Sequence, residues 1–89
     1  MQDTYNINNT ISFIGLGKWG LPLATIFAKN DVDVIGIDKN KNLINILNNG
    51  DVPFYEMGLR ENLSESNKNI TYTTEYDGVV DVSDISIIL

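Results

Sequence analysis

The stretch "IGLGKWGLPLA", residues 14–24, decides how this chain is read. Three glycines stand in the order G-x-G-x-x-G, between an apolar residue and an apolar run. Alone the pattern is weak, because Gly is common and a strand–helix turn with no ligand satisfies it equally well. Its neighbours give it meaning. "TISFI", residues 10–14, is a short β-prone run that ends at Gly15. A helical pattern runs from about Lys18 to Asn30, with Trp19, Leu23, Ile26 and Phe27 recurring at helical spacing. Pro22 falls in its first turn, where a missing N–H costs little. Ala24 and Ala28 form a small-residue face that lets the helix approach a sheet closely.

In such a strand–turn–helix unit each glycine has its own task. Gly15 permits the tight turn out of the strand. Gly17 leaves room for a pyrophosphate to approach the backbone. Gly20 lets the helix sit close against the strand. The first N–H groups of the helix, around Lys18, Trp19 and Gly20, lack internal acceptors and carry the positive end of the helix dipole. A dinucleotide site of this kind also needs an acid about 20 residues on, at the end of the next strand. Asp38 is there, 23 residues after Gly15 and directly after "VIGI". Its carboxylate can accept both hydroxyls of an adenosine ribose and would repel a 2′-phosphate, so NAD is expected over NADP. Lys39 and Lys41 act against that preference, and a solvated strand-end or helix-capping Asp is the plainer alternative. Lys18 is expected to point to solvent, and Trp19 to fill the space beside the helix.

Outward from this unit, strands alternate with helical segments. "VDVIGID", residues 32–38, reads as a second strand. "KNKNLINILNNG", residues 39–50, carries a helix with Leu43, Ile46 and Leu47 on one face and Gly50 as its C-terminal cap. A loop over "DVPFYEMG" leads into a helix from Leu59 to Ser66. "NITYTT", residues 69–74, is a third strand, residues 75–81 hold one or two helical turns, and "DISIIL", residues 84–89, is a fourth strand. This order predicts an α/β fold: a partial Rossmann-type doubly wound parallel sheet of about four strands with crossover helices. Residues 1–9 read as a flexible lead-in, and 10–89 as the N-terminal part of a dinucleotide-binding domain, truncated at the fourth strand. Ile85, Ile87, Ile88 and Leu89 suggest a central strand buried on both faces, so the sequence predicts a piece of a longer protein.

Composition narrows the chemistry. The 89 residues carry a net charge of −6 with six scattered basic residues, which argues against a nucleic-acid partner. There is no Cys and no His, so thiol nucleophiles, thiolate metal sites and the usual neutral-pH acid–base residue are absent from this stretch. No apolar run approaches a membrane span, and the polar start "MQDTYNINNT" is no signal peptide; a cytoplasmic location is expected. Asp77, Asp81 and Asp84 lack metal-site spacing and read as a solvated face. Tyr55 and Glu56 are loop residues within reach of a ligand, although a loop aromatic tucked onto the core is the plainer reading.

Residues 11–59, "ISFIGLGKWGLPLATIFAKNDVDVIGIDKNKNLINILNNGDVPFYEMGL", resemble the N-terminus of the UDP-glucose/GDP-mannose dehydrogenase family, and the likeness extends to residue 89. "GLPLA" after the last glycine, "LNNG" closing the second helix, and "PFYEMGL" against the family's P-x-Y-E-P-G-L carry it. The resemblance implies the NAD-binding portion of an enzyme that oxidises the C6 hydroxyl of a nucleotide sugar to a carboxylate in two NAD-dependent steps. UDP-glucose is its expected substrate, with GDP-mannose and UDP-N-acetylhexosamines open. In the family a downstream Cys, supported by Lys, Asn and Asp, holds the intermediate, and a helical centre outside this stretch mediates dimerisation. This chain alone is therefore expected to be inactive. The resemblance places Gly15, Leu16, Gly17, Lys18, Trp19 and Gly20 around the pyrophosphate and Asp38 on the ribose. Lys18-Trp19 replaces the family's usual Tyr-Val, Leu43 a common basic residue, and Met57 the usual Pro. A β-hydroxyacid dehydrogenase of the 6-phosphogluconate type and a non-catalytic nucleotide-binding module stay open as alternatives.

Overall fold

The computed structural model describes residues 10–54, 57–66, 68–78 and 85–89. The expectations for 1–9, Tyr55, Glu56, Asp81, Asp84 and the end of the 75–81 segment lie outside the described residues. In chain order the elements are β1 (Thr10–Ile14), α1 (Gly20–Lys29), β2 (Asp33–Ile37), α2 (Lys41–Asn48), α3 (Leu59–Ser66), β3 (Ile70–Thr73) and β4 (Ile85–Ile88).

Among the described residues the strands form one parallel sheet in the order β3-β2-β1-β4. Thr10 to Ile14 pair in step with Asp33 to Ile37, and Ile11 to Ile14 pair with Ile85 to Ile88. The first three strands march outward in one direction, and the fourth returns to the other side of β1. That reversal creates a crevice outside the carboxyl ends of β1 and β4, the usual ligand position in such sheets. Ser12 and Ser86 pin the return strand with a hydroxyl–hydroxyl bond of 2.8 Å.

The core lies between the sheet and the helices. Phe13 and Val34 from the strands meet Leu21, Ala24 and Ala28 of α1, Ile44 and Leu47 of α2, and Leu59 of α3. Phe27 stands against Phe13 with ring centroids 5.7 Å apart. The local signals account for the helix ends. Asn40 caps α2 by accepting from the N–H groups of Asn42 and Leu43 at 3.0 and 3.2 Å. Gly50, at φ +82°, takes the left-handed position after it.

Two expectations are corrected. The buried face of α1 is Gly20, Leu21, Ala24, Thr25 and Ala28; Leu23 and Ile26 are exposed, and Phe27 is half-buried. The expected small-residue face of Ala24 and Ala28 is buried, with Leu21 beside it. Thr25 is tolerated there because its hydroxyl donates to Pro22 O at 2.8 Å. In α2 the buried pair is Ile44 and Leu47, with Leu43 and Ile46 half-buried beside it. Among the described residues β4 stands at an edge of the sheet, with Ile85 and Ile88 exposed. Within 75–81 the described part shows a turn at Asp77 and Gly78. Among the described residues no helix is long and apolar enough to cross a membrane.

Candidate functional site

The glycine loop joins β1 to α1 over the crevice. Gly15 takes φ +107°, and its N–H donates to Ile37 O at 2.8 Å, tying the turn to β2. A Cβ on Gly20 would strike the carbonyl oxygen of Gly15 and lie 2.9 Å from Leu89 Cδ1, so this glycine does allow the close helix–strand approach. A Cβ on Gly17 would meet nothing within 4 Å, and the space in front of this residue is open. Bonding into α1 begins with Leu21 N–H to Gly17 O at 3.1 Å. N–H groups before that point need acceptors from outside the helix.

Leu16 behaves unlike its neighbours. Its side chain is fully buried, and its N–H donates to Asp38 Oδ2 at 2.9 Å. Asp38 Oδ1 accepts the N–H of Asn40 at 2.9 Å, while its own N–H donates to Thr73 O at 3.2 Å. The carboxylate is thus held at the rim of the crevice. The helix-capping alternative for Asp38 is replaced by Asn40, which performs that task two residues later.

The crevice measures about 430 Å³ and is lined by Gly15 and Asp38, with Lys39, Thr74, Tyr76 and Leu89 around them. A smaller hollow of about 270 Å³ lies across the loop, between Gly17 and Lys18 on one side and Asn40, Leu43 and Phe54 on the other. Lys18 is exposed as expected. Trp19 is not packed beside the helix: it is 77% exposed, with Lys18 Nζ 5.8 Å from its ring centroid. An indole at the cap position of α1 projects away from the sheet, so no core space is within its reach. Asp77 is exposed, and among the described residues no group of three or more acidic or His/Cys side chains is arranged to hold a metal.

Sequence reasoning did not single out Gly36, Asn40, Thr74 or Tyr76. A Cβ on Gly36 would sit 2.8 Å from Leu16 Cδ1, so this strand glycine makes room for the loop's anchoring side chain. A glycine inside a β-branched run is itself a signal of close approach. Asn40 was legible as a capping residue, but its grip on Asp38 was not. Tyr72, on β3, has its hydroxyl pushed up to about 12 by burial.

The family model for the UDP-glucose/GDP-mannose dehydrogenase family, NAD binding domain, matches residues 9–89. A UDP-N-acetyl-D-mannosamine dehydrogenase of Campylobacter jejuni is 47% identical over 51 residues, which is 57% of this chain and 12% of that protein. Two solved structures are similar in fold. One is a GDP-mannose dehydrogenase from Pseudomonas aeruginosa, with TM-score 0.82 and 32% identity, covering 89% of this chain and 19% of the other. The second is a UDP-glucose dehydrogenase from Pyrobaculum islandicum, with TM-score 0.85 and 26% identity, covering 99% and 21%. The chain therefore spans between about a tenth and a fifth of the length of these relatives.

Proposed function

Because the chain belongs to the UDP-glucose/GDP-mannose dehydrogenase family, whose NAD-binding domain it matches, we propose that it forms the cofactor-holding part of a nucleotide-sugar 6-dehydrogenase. Residues 10–89 are then the first part of its Rossmann domain. The observation that carries the reading is Asp38 at the rim of an open crevice, bonded to the glycine loop at the point where strand order reverses. The residues fit the cofactor. Open space before Gly17 suits a pyrophosphate, which the N–H groups of Gly17, Lys18, Trp19 and Gly20 attract. Asp38 accepts the diol of the adenosine ribose, with Gly15 and Leu16 shaping the turn between the two. A bound NAD would supply the hydride acceptor for oxidation of the sugar carbon. This chain's part is to bind and orient it, since no Cys is present to act as nucleophile.

The substrate class we propose is a nucleotide sugar. The sequence motif favours UDP-glucose, while the relatives' names run over UDP-N-acetyl-D-mannosamine, GDP-mannose and UDP-glucose. The family match favours this reading over a 6-phosphogluconate-type enzyme. A cytoplasmic homodimer, joined through a region outside this chain, completes the proposal.

The direct test is calorimetric titration of NAD and NADP against the wild-type chain and Asp38→Ala. NAD should bind more tightly than NADP, and the substitution should weaken NAD by about tenfold, or ~1.4 kcal/mol. A wild-type preference for NADP would overturn the ribose assignment. NADH formation with each of the three sugar nucleotides, measured on the full-length enzyme, tests the substrate.

A further inference from the structure

Resting on that dinucleotide reading, we propose that Asp38 is also a positioning residue for the glycine loop, so that one carboxylate couples the ribose and pyrophosphate subsites. The loop between Gly15 and Gly20 is held at both ends but has little to fix its middle. Gly15 is tied to Ile37 O, and α1 bonding starts only at Leu21. Between these points Leu16 is anchored twice. Its side chain drops into the core over Gly36, where a Cβ would meet it at 2.8 Å. Its N–H reaches the other way and donates to Asp38 Oδ2 at 2.9 Å.

Asp38 is in turn held from its far side. Its Oδ1 accepts the N–H of Asn40 at 2.9 Å, and the Asn40 side chain is engaged with the first turn of α2 through Asn42 and Leu43. A continuous line of bonds thus runs from α2, through one carboxylate, to the loop that opens α1. Each carboxylate oxygen has two acceptor positions, and the backbone N–H groups account for one on each. The others are free for a ribose diol, so holding the loop and gripping the sugar do not compete. With the carboxylate gone, the Leu16 N–H has no acceptor at its place in the loop and turns to water. The loop's middle then samples shapes in which the Gly17 and Lys18 N–H groups no longer converge on one phosphate.

The test separates the two roles with a ligand that lacks the diol. ADP and 2′,3′-dideoxy-ADP are titrated by calorimetry against the wild-type chain, Asp38→Ala and the isosteric Asp38→Asn. Hydrogen exchange of the Leu16 and Phe13 amides is followed in the absence of ligand. Loop positioning predicts that Asp38→Ala weakens dideoxy-ADP by about tenfold, the effect of one hydrogen bond to a charged group, and that Asp38→Asn, whose amide oxygen still accepts the Leu16 N–H, weakens it less. It also predicts that Leu16 exchange quickens while the sheet-bound Phe13 amide stays protected, a split that general unfolding would not give. If the variants lose ADP affinity but bind dideoxy-ADP as the wild type does, the loop role is refuted and the ribose role stands. If the wild-type chain binds neither ADP nor NAD, the dinucleotide reading itself falls, and this proposal with it.

Discussion

Gly20 and Gly17 share one motif but differ in their surroundings, and on the proposed reading alanine at each separates packing from cofactor binding. At Gly20 the added methyl would strike the carbonyl oxygen of Gly15 and crowd Leu89 Cδ1 at 2.9 Å. The Leu89 side chain can rotate away. Gly15 cannot retreat, because its N–H is bonded to Ile37 O at 2.8 Å and its φ of +107° belongs to the turn. Overpacking of this kind costs about 1–3 kcal/mol, and loosening the Gly15–Ile37 bond adds about 1 kcal/mol. Alanine's better helix propensity returns about 1 kcal/mol. The net loss is therefore about 1–3 kcal/mol. With a urea slope of about 1 kcal/mol/M for a chain this small, the unfolding midpoint should fall by roughly 1–3 M. At Gly17 a methyl meets nothing within 4 Å, and the residue is outside the left-handed region. Stability should hold within about 0.5 kcal/mol, while NAD affinity drops by about tenfold or more as the methyl enters the pyrophosphate's space. Urea denaturation followed by circular dichroism, with calorimetry for NAD, reads both effects. Equal midpoints for the two variants would refute the division of labour, as would a Gly17→Ala chain that binds NAD normally.

Other changes probe the packing. Leu16→Ala removes a fully buried side chain and should destabilise by about 2–5 kcal/mol; a urea midpoint close to wild type would show that the loop is not anchored in the core. Trp19→Ser should alter stability by no more than about 0.5 kcal/mol, because the ring is exposed, and a loss several times larger by the same assay would mean that the ring packs. Tyr72 gives a pH signature. Its hydroxyl is raised from 10.0 to about 12 by burial, so below pH 10 it is neutral in both folded and unfolded chains and its contribution is complete. Between pH 10 and 12 the unfolded chain releases the proton and the folded one retains it, so stability falls as pH rises through that window. Tyr72→Phe should flatten this part of the stability–pH curve; an unchanged slope would mean that the hydroxyl is solvated.

Much of the architecture was legible in local pattern. β1 and α3 fall on the residues that the sequence marked, and β2 and β3 lie within a residue of their expected ends. Asn30 closes α1 and Gly50 follows α2, as turn chemistry requires. The facing of α1 was legible in part: Ala24 and Ala28 are buried as expected, whereas Trp19, Leu23 and Ile26 are exposed. Polar residues locate a helix's outer side only where they interrupt the apolar run, and in "GLPLATIFAK" they are too few to choose. Trp19, Leu23 and Ile26 share a helical stripe as good as the one formed by Leu21, Ala24 and Ala28. The second stripe is the buried one.

Sequence by itself determined the strand–helix alternation, the glycine spacing that opens α1 and the acid at the end of β2, because each is a constraint on neighbouring backbone. Tertiary structure alone decided that Leu16 and Asp38, 22 residues apart, share a hydrogen bond, that Gly36 makes room for a loop side chain, and that Trp19 stands in solvent. Those outcomes follow from how close separate segments come once the strands are paired, and spacing along the chain carries no record of that distance.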